Sequence, residues 1–165
     1  MSYRTGFWAL RKGIETFAPE ILRQAIALGL TTREGDQRRG GYFCLLRYND
    51  HQGEWASMNF KCGSVPQGSR ARAFCNEKAR RVLELGATSS WMSRDPEKNQ
   101  WGGAVRVHQD VIFSFDGLPE DTNEALVLVL AVELELLNLE EAQGIAKLSA
   151  NEKFSQLLKA FKAAT

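Results

Sequence analysis

The sequence predicts an α+β fold in which an antiparallel sheet, built from two β-hairpins, is flanked by helices. Two pairs of apolar segments indicate the hairpins, because a short polar turn separates the members of each pair: residues 42–48 with 54–62, and residues 103–107 with 111–115. Segments with helical periodicity lie before, between and after these pairs. Amphipathic helices need apolar surface to cover, and an antiparallel sheet provides it.

Length and composition indicate an ordinary globular protein. A chain of 165 residues suits a single globular domain over residues 1–165, with a core at 18–137 and a helical C-terminal extension at 138–165. A net charge of +1 produces no overall attraction to nucleic acid or to an anionic membrane. We expect a cytoplasmic location, because the sequence shows neither a secretory signal nor an apolar run long enough to span a bilayer.

The cysteines point in the same direction. Cys44, Cys62 and Cys75 are an odd number of thiols without CxxC spacing. This pattern argues against a disulfide framework and against a structural zinc site. We therefore expect buried, reduced thiols and no metal.

The first helix is expected at about residues 18–29. Pro19 suits a first helical turn, where its missing N–H costs nothing, and Gly29 suits the end of a helix. Residues 31–41 are polar and rich in glycine, which predicts a loop.

The two segments of the first hairpin differ in pattern. Residues 42–48 form a nearly continuous apolar run, as in a central strand that is covered on both faces. Residues 54–62 alternate instead, with Ala56, Met58, Phe60 and Cys62 on one face. The sequence therefore predicts that these two strands pair side by side.

A second helix is predicted at residues 69–85. On its apolar face, which contains Cys75, the only charged residue is Lys78. The opposite face pairs carboxylates with arginines four residues apart and is predicted to face solvent: Glu77 with Arg81, and Arg80 with Glu84. Residues 87–100 that follow predict a loop, with a short edge strand as an alternative.

A third helix of roughly 18 residues is predicted to begin near Pro119, where nearby acids favour a helix start. Residues 125–132 are apolar on every side. Such a helix is either sandwiched within the domain or partly buried against another subunit.

Two shorter helices are predicted to close the chain. Each is expected to begin with a capping box, Asn138 with Glu141 and Ser149 with Glu152. The last helix carries an apolar stripe that must pack on something: Phe154, Leu157, Leu158 and Phe161.

The order of these elements, over about residues 18–137, resembles the GlcG/HbpS-like family. Four short motifs carry the resemblance: Glu77–Lys78–Ala79 on a helix, Gly102–Gly103 before a hairpin, Asp116–Gly117 after it, and Glu120–Asp121 at a helix start. The resemblance implies a profilin-like antiparallel sheet flanked by helices. It also implies, as a ligand, heme or another anionic planar compound.

A candidate ligand site lies in the loop before the second hairpin. Trp91 and Trp101 flank Arg94, and aromatic rings beside a guanidinium suit an anionic planar ligand. Gly102 and Gly103 would allow backbone amides to approach that ligand. The alternative is that Arg94 and the tryptophans serve the local fold and that the glycines allow entry into the strand.

A histidine in the second hairpin is a further candidate for ligand binding. His108 falls in the predicted turn of the second hairpin, and an imidazole is a competent axial ligand of heme iron. The alternative is a polar, exposed turn residue.

Three basic pairs bear on nucleic-acid binding. Such binding would require them to form one continuous face, and we consider it the weaker hypothesis: Arg38 with Arg39, Arg70 with Arg72, and Arg80 with Arg81.

Three hypotheses for function follow. The preferred one is a non-catalytic protein that binds a small molecule or acts as an accessory protein, as a homo-oligomer. The second is a structural or interaction module, in which the third helix and the Phe154/Phe161 stripe form a subunit or partner interface. The third is an enzyme of unknown reaction, which is the least supported because no nucleophile is paired with a base at a recognisable spacing.

Overall fold

The computed structural model describes residues 6–165 and confirms the α+β class. In the described residues the elements follow in this order: α1 (Phe7–Ala27), β1 (Thr32–Arg33), β2 (Asp36–Gln37), β3 (Arg39–Asn49), β4 (Glu54–Ser64), α2 (Ala71–Glu84), β5 (Ala104–His108), β6 (Val111–Asp116), α3 (Glu120–Glu133), α4 (Leu139–Leu148) and α5 (Lys153–Ala164). Short 3₁₀ helices at Ser90–Ser93 and Pro96–Lys98 lie in the loop between α2 and β5. None of the helices within residues 6–165 is long and apolar enough to cross a membrane.

Both predicted hairpins are present and join in one sheet. The order β4–β3–β6–β5 is antiparallel throughout, with β3 and β6 in the centre. Phe43 of β3 lies opposite Phe60 of β4 on one side and Phe115 of β6 on the other. The two hairpins therefore join through β3 and β6.

Helices cover both faces of this sheet. Phe43 and Leu45 of β3 belong to the larger apolar cluster, which also contains residues of α1, α3 and α5. Cys44 and Leu46 point to the opposite face and pack in a smaller cluster with α2. The run of apolar residues at 42–48 is nearly continuous, as expected for a central strand, because its side chains alternate between the two clusters on the two faces of the sheet.

The α3 helix is the central helix of the larger core. Every residue from 122 to 131 is buried, and α3 contacts the sheet as well as α1, α4 and α5. Of the two alternatives for this apolar helix, the structure has the one in which it is sandwiched within the chain.

The N-terminal helix is longer than expected. It begins at Phe7, and Pro19 lies inside it instead of in its first turn. One buried stripe runs along the whole helix: Leu10, Ile14, Ala18, Ile21, Leu22 and Ala25. Packing of this stripe outweighs the single hydrogen bond that Pro19 removes.

The segment expected as a loop at residues 31–41 is also more ordered. It contains the short β1–β2 hairpin and the first residues of β3. Glu34 and Gly35 turn this hairpin with positive φ angles of 51° and 80°.

Of the two predicted capping boxes, one is confirmed and one is wrong. The Asn138 side chain accepts from the Glu141 amide, and the Glu141 carboxylate accepts from the Asn138 amide. The α5 helix begins at Lys153 without a side-chain cap. Ser149 instead ends α4, and its hydroxyl donates to the buried carboxylate of Glu124. A tertiary partner therefore displaces the local one.

The apolar stripe of α5 is covered within the chain. Phe154, Leu157 and Phe161 are buried, and α5 contacts α3 and α1. Phe161 meets Phe17 of α1 edge to face, with ring centres 6.4 Å apart. Neither this stripe nor α3 is left to form the subunit interface on which the interaction hypothesis depended.

Candidate ligand-binding cavity

A cavity of about 620 Å³ opens at the end of the sheet where β6 leads into α3. Its walls are the N-terminal ends of α2 and α3, the β1–β2 hairpin, the loop that precedes β5, and the corner between α4 and α5. Three of the six predicted site residues, Trp91, Arg94 and Trp101, line this cavity together. Its size is in the range typical of sites for small organic molecules.

Arg94 is held by contacts within the protein. Its guanidinium makes a two-pronged ion pair with Glu120, with Nη2 2.6 Å and Nε 2.9 Å from the carboxylate. The Arg94 carbon Cζ lies 5.3 Å and 5.6 Å from the ring centres of Trp91 and Trp101. The hydrogen bonds to Glu120 raise the pKa of Arg94. The indoles therefore stack on this guanidinium instead of on a ligand.

The two glycines also serve packing. The Gly102 amide donates to Glu120 over 3.0 Å, and a Cβ on Gly102 would lie 2.3 Å from the Trp91 ring. Gly103 has a φ of +119°, and its Cβ would lie 2.8 Å from Asn123. For both glycines the geometry supports the alternative stated above, in which they allow the local fold.

The loop that carries the tryptophans is held by Arg81, which was wrongly expected to face solvent. Arg81 is 6% exposed. Its guanidinium donates to the carbonyls of Ser90, Ser93 and Trp101 over 3.1, 2.7 and 2.7 Å. The expected ion pair with Glu77 forms as well, at 2.8 Å. Arg81 thus satisfies several buried loop carbonyls with one side chain.

Three further arginines, Arg33, Arg38 and Arg70, give the cavity its positive character. Arg33 and Arg38 have distant carboxylate partners, Glu34 at 3.9 Å and Asp36 at 3.8 Å. Within residues 6–165, Arg70 has no ion pair and stacks on Phe74 at 5.0 Å.

The start of α2 adds to this positive character. Its first turn holds no acidic residue, and the N-cap residue Arg70 makes no side-chain cap hydrogen bond. The Ser69 hydroxyl accepts from the Ala71 amide over 3.1 Å. The N-terminal end of a helix carries a partial positive charge and unpaired N–H groups.

A buried ion pair lies at the floor of the cavity. The ammonium of Lys78, on the otherwise apolar face of α2, is fully buried. It donates to the Phe115 carbonyl over 3.1 Å and to Asp116 Oδ1 over 2.5 Å. The Asp116 side chain is 17% exposed and lines the cavity. Lys78 interrupts the apolar pattern of α2 because it fixes this carboxylate.

A buried carboxylate, Glu124, lies next to the cavity wall at the α4–α5 corner, where it binds Ser149. Glu124 of α3 is fully buried and accepts hydrogen bonds from Ser89 at 3.0 Å, from Asn151 at 2.9 Å and from Ser149. Burial raises the pKa of Glu124, and these hydrogen bonds counteract that effect in part. Glu124 joins the start of the loop before β5 to the α4–α5 corner.

His108 does not belong to this cavity. The cavity borders the start of the second hairpin, whereas His108 ends β5, four residues further along the strand. At about 3.3 Å per residue this is roughly 13 Å. The described residues that line the cavity include no histidine, cysteine, methionine or tyrosine. The cavity therefore does not fit heme held through an axial side-chain ligand.

The cysteines are not candidates for a nucleophile. Cys44, Cys62 and Cys75 are free and buried, as expected from the sequence. Burial raises the pKa of Cys62 to about 11 and that of Cys75 well above its usual value. Within the part of the chain that the structure describes, no three His, Cys, Asp or Glu side chains are grouped to hold a metal ion.

Of the eight charged residues that line the cavity in the described part of the chain, only Arg94 is predicted from the sequence as a site residue. In the sequence the other seven have no feature that points to a cavity: Arg33, Arg38, Arg70, Asp116, Glu120, Asp121 and Lys153. Lys78 was the one available signal, because a lysine on an apolar helix face needs a buried partner.

No model of a known family, no curated protein and no solved structure matches this chain.

Proposed function

We propose that this protein is a non-catalytic binding or accessory protein that holds a small anionic molecule with a planar or apolar body in the cavity. The observation that carries the proposal is the set of guanidiniums without close ion pairs: Arg33, Arg38 and Arg70. A charged arginine at the wall of a cavity is stabilised by an anion that accepts its hydrogen bonds.

The rest of the cavity wall suits the body of such a ligand. Phe74, Leu118 and Pro119 provide apolar surface between the charged groups. Ligand sites commonly combine apolar walls with a few polar groups that fix orientation. The side chains of Arg94 and Glu120 complete the wall and, being paired with each other, keep its shape before a ligand arrives.

Kinship with the GlcG/HbpS-like family remains a proposal. Its support is that the motifs meet in space, since Lys78 contacts Asp116 and the Gly102 amide contacts Glu120. Heme is not part of the proposal, because the cavity offers no axial ligand. A homo-oligomer is not part of it either, because the surfaces that suggested one lie inside the chain.

The test uses 2-naphthoate, which combines one carboxylate with a flat apolar body. Calorimetric titration should show saturable binding that weakens as salt is raised, because screening reduces the attraction of the arginines. Arg70→Ala should weaken binding roughly ten-fold, which corresponds to the loss of about 1.4 kcal/mol.

The matched control is Arg80→Ala. Arg80 lies on α2, the helix that Arg70 immediately precedes, but it is exposed, pairs with Glu84 and does not line the cavity. This variant should bind 2-naphthoate as the unmodified protein does. Absence of saturable binding at millimolar 2-naphthoate, or equal effects of the two substitutions, would overturn the proposal.

A further inference from the structure

We propose that Asp116 makes the cavity selective for anions that also carry an O–H or N–H donor. The inference rests on the proposed function and deepens it, because it names a second chemical group that the ligand must have. The ligand class is then a small planar or apolar acid with a hydroxyl or amino group.

The first observation is an unused acceptor in a cationic cavity. Asp116 Oδ1 accepts from Lys78, whereas its second oxygen, Oδ2, accepts no hydrogen bond from the residues that the structure describes. The side chain is 17% exposed and lines the cavity. A ligand that fills the cavity removes water from Oδ2, and this carboxylate oxygen then needs a new donor.

The second observation is that Asp116 is fixed in place. It ends β6 and lies opposite Tyr42 of the central strand β3. Lys78, which is fully buried, binds both Asp116 and the neighbouring Phe115 carbonyl. The carboxylate cannot swing out to water when a ligand enters, so a mismatch at Oδ2 is not relieved by rotation.

The other two carboxylates of the cavity are less suited to this role. Glu120 is occupied by Arg94 and by the Gly102 amide. Asp121 pairs with Lys153 at 2.8 Å, and its side chain is 39% exposed. Asp121 is thus the more exposed of the two carboxylates, so a ligand in the cavity removes less of its contact with water, and selectivity belongs to Asp116.

The test compares matched probes. Hydroxy-2-naphthoates with the hydroxyl on the ring that lacks the carboxylate should be measured beside their methoxy counterparts, which have the same plane and charge but no donor. At least one hydroxy isomer should bind about ten-fold more tightly than its methoxy counterpart, as expected when a buried acceptor is left unpaired. Equal affinity within every pair would overturn the inference.

A charge-neutral double variant assigns the effect to Asp116. Lys78→Met combined with Asp116→Leu removes one charge of each sign and leaves no unpaired buried ion. In this variant the affinity ratio between the hydroxy probe and its methoxy counterpart should fall from about ten-fold to about one, whatever its affinity for 2-naphthoate itself. Asp121→Leu is the matched control and should keep that preference.

A spectroscopic measurement on the unmodified protein gives a second, independent test. The ¹³C resonance of the Asp116 carboxyl should move with the preferred hydroxy probe and much less with its methoxy counterpart. If that resonance is equally affected by both probes, the inference is wrong. Failure of 2-naphthoate itself to bind would overturn the proposed function, whereas binding without hydroxyl selectivity would overturn only the role of Asp116.

Discussion

At the scale of single residues, two of the buried ionisable side chains in the described residues, Lys78 and Glu124, are stabilised by different means. Lys78 has a carboxylate and a carbonyl as acceptors, whereas Glu124 has three neutral donors. Removing Asp116 would therefore leave the Lys78 charge buried without an opposite charge. The stability that Glu124 contributes depends instead on the pH at which its own carboxyl group ionises.

For the Lys78–Asp116 pair we predict strong coupling. Asp116→Ala leaves the Lys78 ammonium buried beside a single carbonyl, and the free energy of unfolding should fall by about 3–5 kcal/mol. The double variant Lys78→Met with Asp116→Leu should be more stable than Asp116→Ala alone, because it contains no unpaired charge. Urea unfolding measures both. A double variant that is less stable than the single one would contradict this account.

For Glu124 we predict a specific pH dependence. Its pKa is raised in the folded chain above the ordinary 4.5, so between the two values the folded state binds more protons than the unfolded state. The contribution of Glu124 to stability is therefore fully present below pH 4.5 and is lost as the pH rises through the folded pKa.

The variant Glu124→Gln tests this sign. It cannot ionise, and its amide can exchange hydrogen bonds with Ser89 and Asn151. The stability of the unmodified protein relative to this variant should decrease as the pH rises from 4 to 7, measured by urea unfolding at each pH. A relative stability that increases over that range would refute the assignment.

At the scale of elements, the ends of helices depend on whether a local or a tertiary partner reaches them first. The start of α4 uses its own capping box, because Asn138 and Glu141 find no better partner. The segment before α5 contains the same pattern, but the Ser149 hydroxyl binds Glu124 instead. A capping pattern in the sequence therefore predicts a cap only when no buried acceptor from another part of the fold binds the same side chain.

We predict different costs for these two helix starts. Asn138→Ala removes the cap of α4 and should lower the free energy of unfolding by about 1 kcal/mol. The matched control is Glu152→Ala at the start of α5, where the side chain makes no cap hydrogen bond, and its effect should stay within about 0.5 kcal/mol. Equal losses in thermal or urea unfolding would contradict the assignment of the caps.

At the scale of the whole molecule, one sheet separates two apolar cores. The C-terminal helices α4 and α5 both pack on α3. The α5 helix docks on α3 and α1, and its residues belong to the larger core. Without α5, apolar side chains of α3 and α1 in the larger core would be exposed to water.

Phe161→Ala tests this dependence. Phe161 is fully buried, and the substitution should lower the free energy of unfolding by about 3–5 kcal/mol. Leu148→Ala is the control, because Leu148 is 63% exposed, and its effect should stay within about 0.5 kcal/mol. The sedimentation coefficient of folded Phe161→Ala should equal that of the unmodified protein. A change in subunit number would show that this stripe lies at an interface.

Much of the architecture follows from sequence pattern. The two hairpins, α2, the position of the apolar α3 and the Asn138 cap are predicted correctly, because strand alternation, helical periodicity and capping depend on neighbours close in the chain. The α3 helix is shorter than the expected length of roughly 18 residues, at 14. The early start of α1, the passage of that helix through Pro19 and the loss of the second capping box are not predicted. Each of them depends on packing or hydrogen bonding between distant segments.

The candidate site divides in the same way. Sequence by itself determined the fold class, the tryptophan-flanked loop and the presence of a lysine on an apolar helix face. Only the tertiary structure decided that Arg94 belongs to Glu120, that His108 lies at the other end of its strand, and that Arg38 and Arg70 face one cavity. The physical reason is that charge pairing and cavity shape depend on distances across the sheet and between helices, and such distances are not encoded in local periodicity.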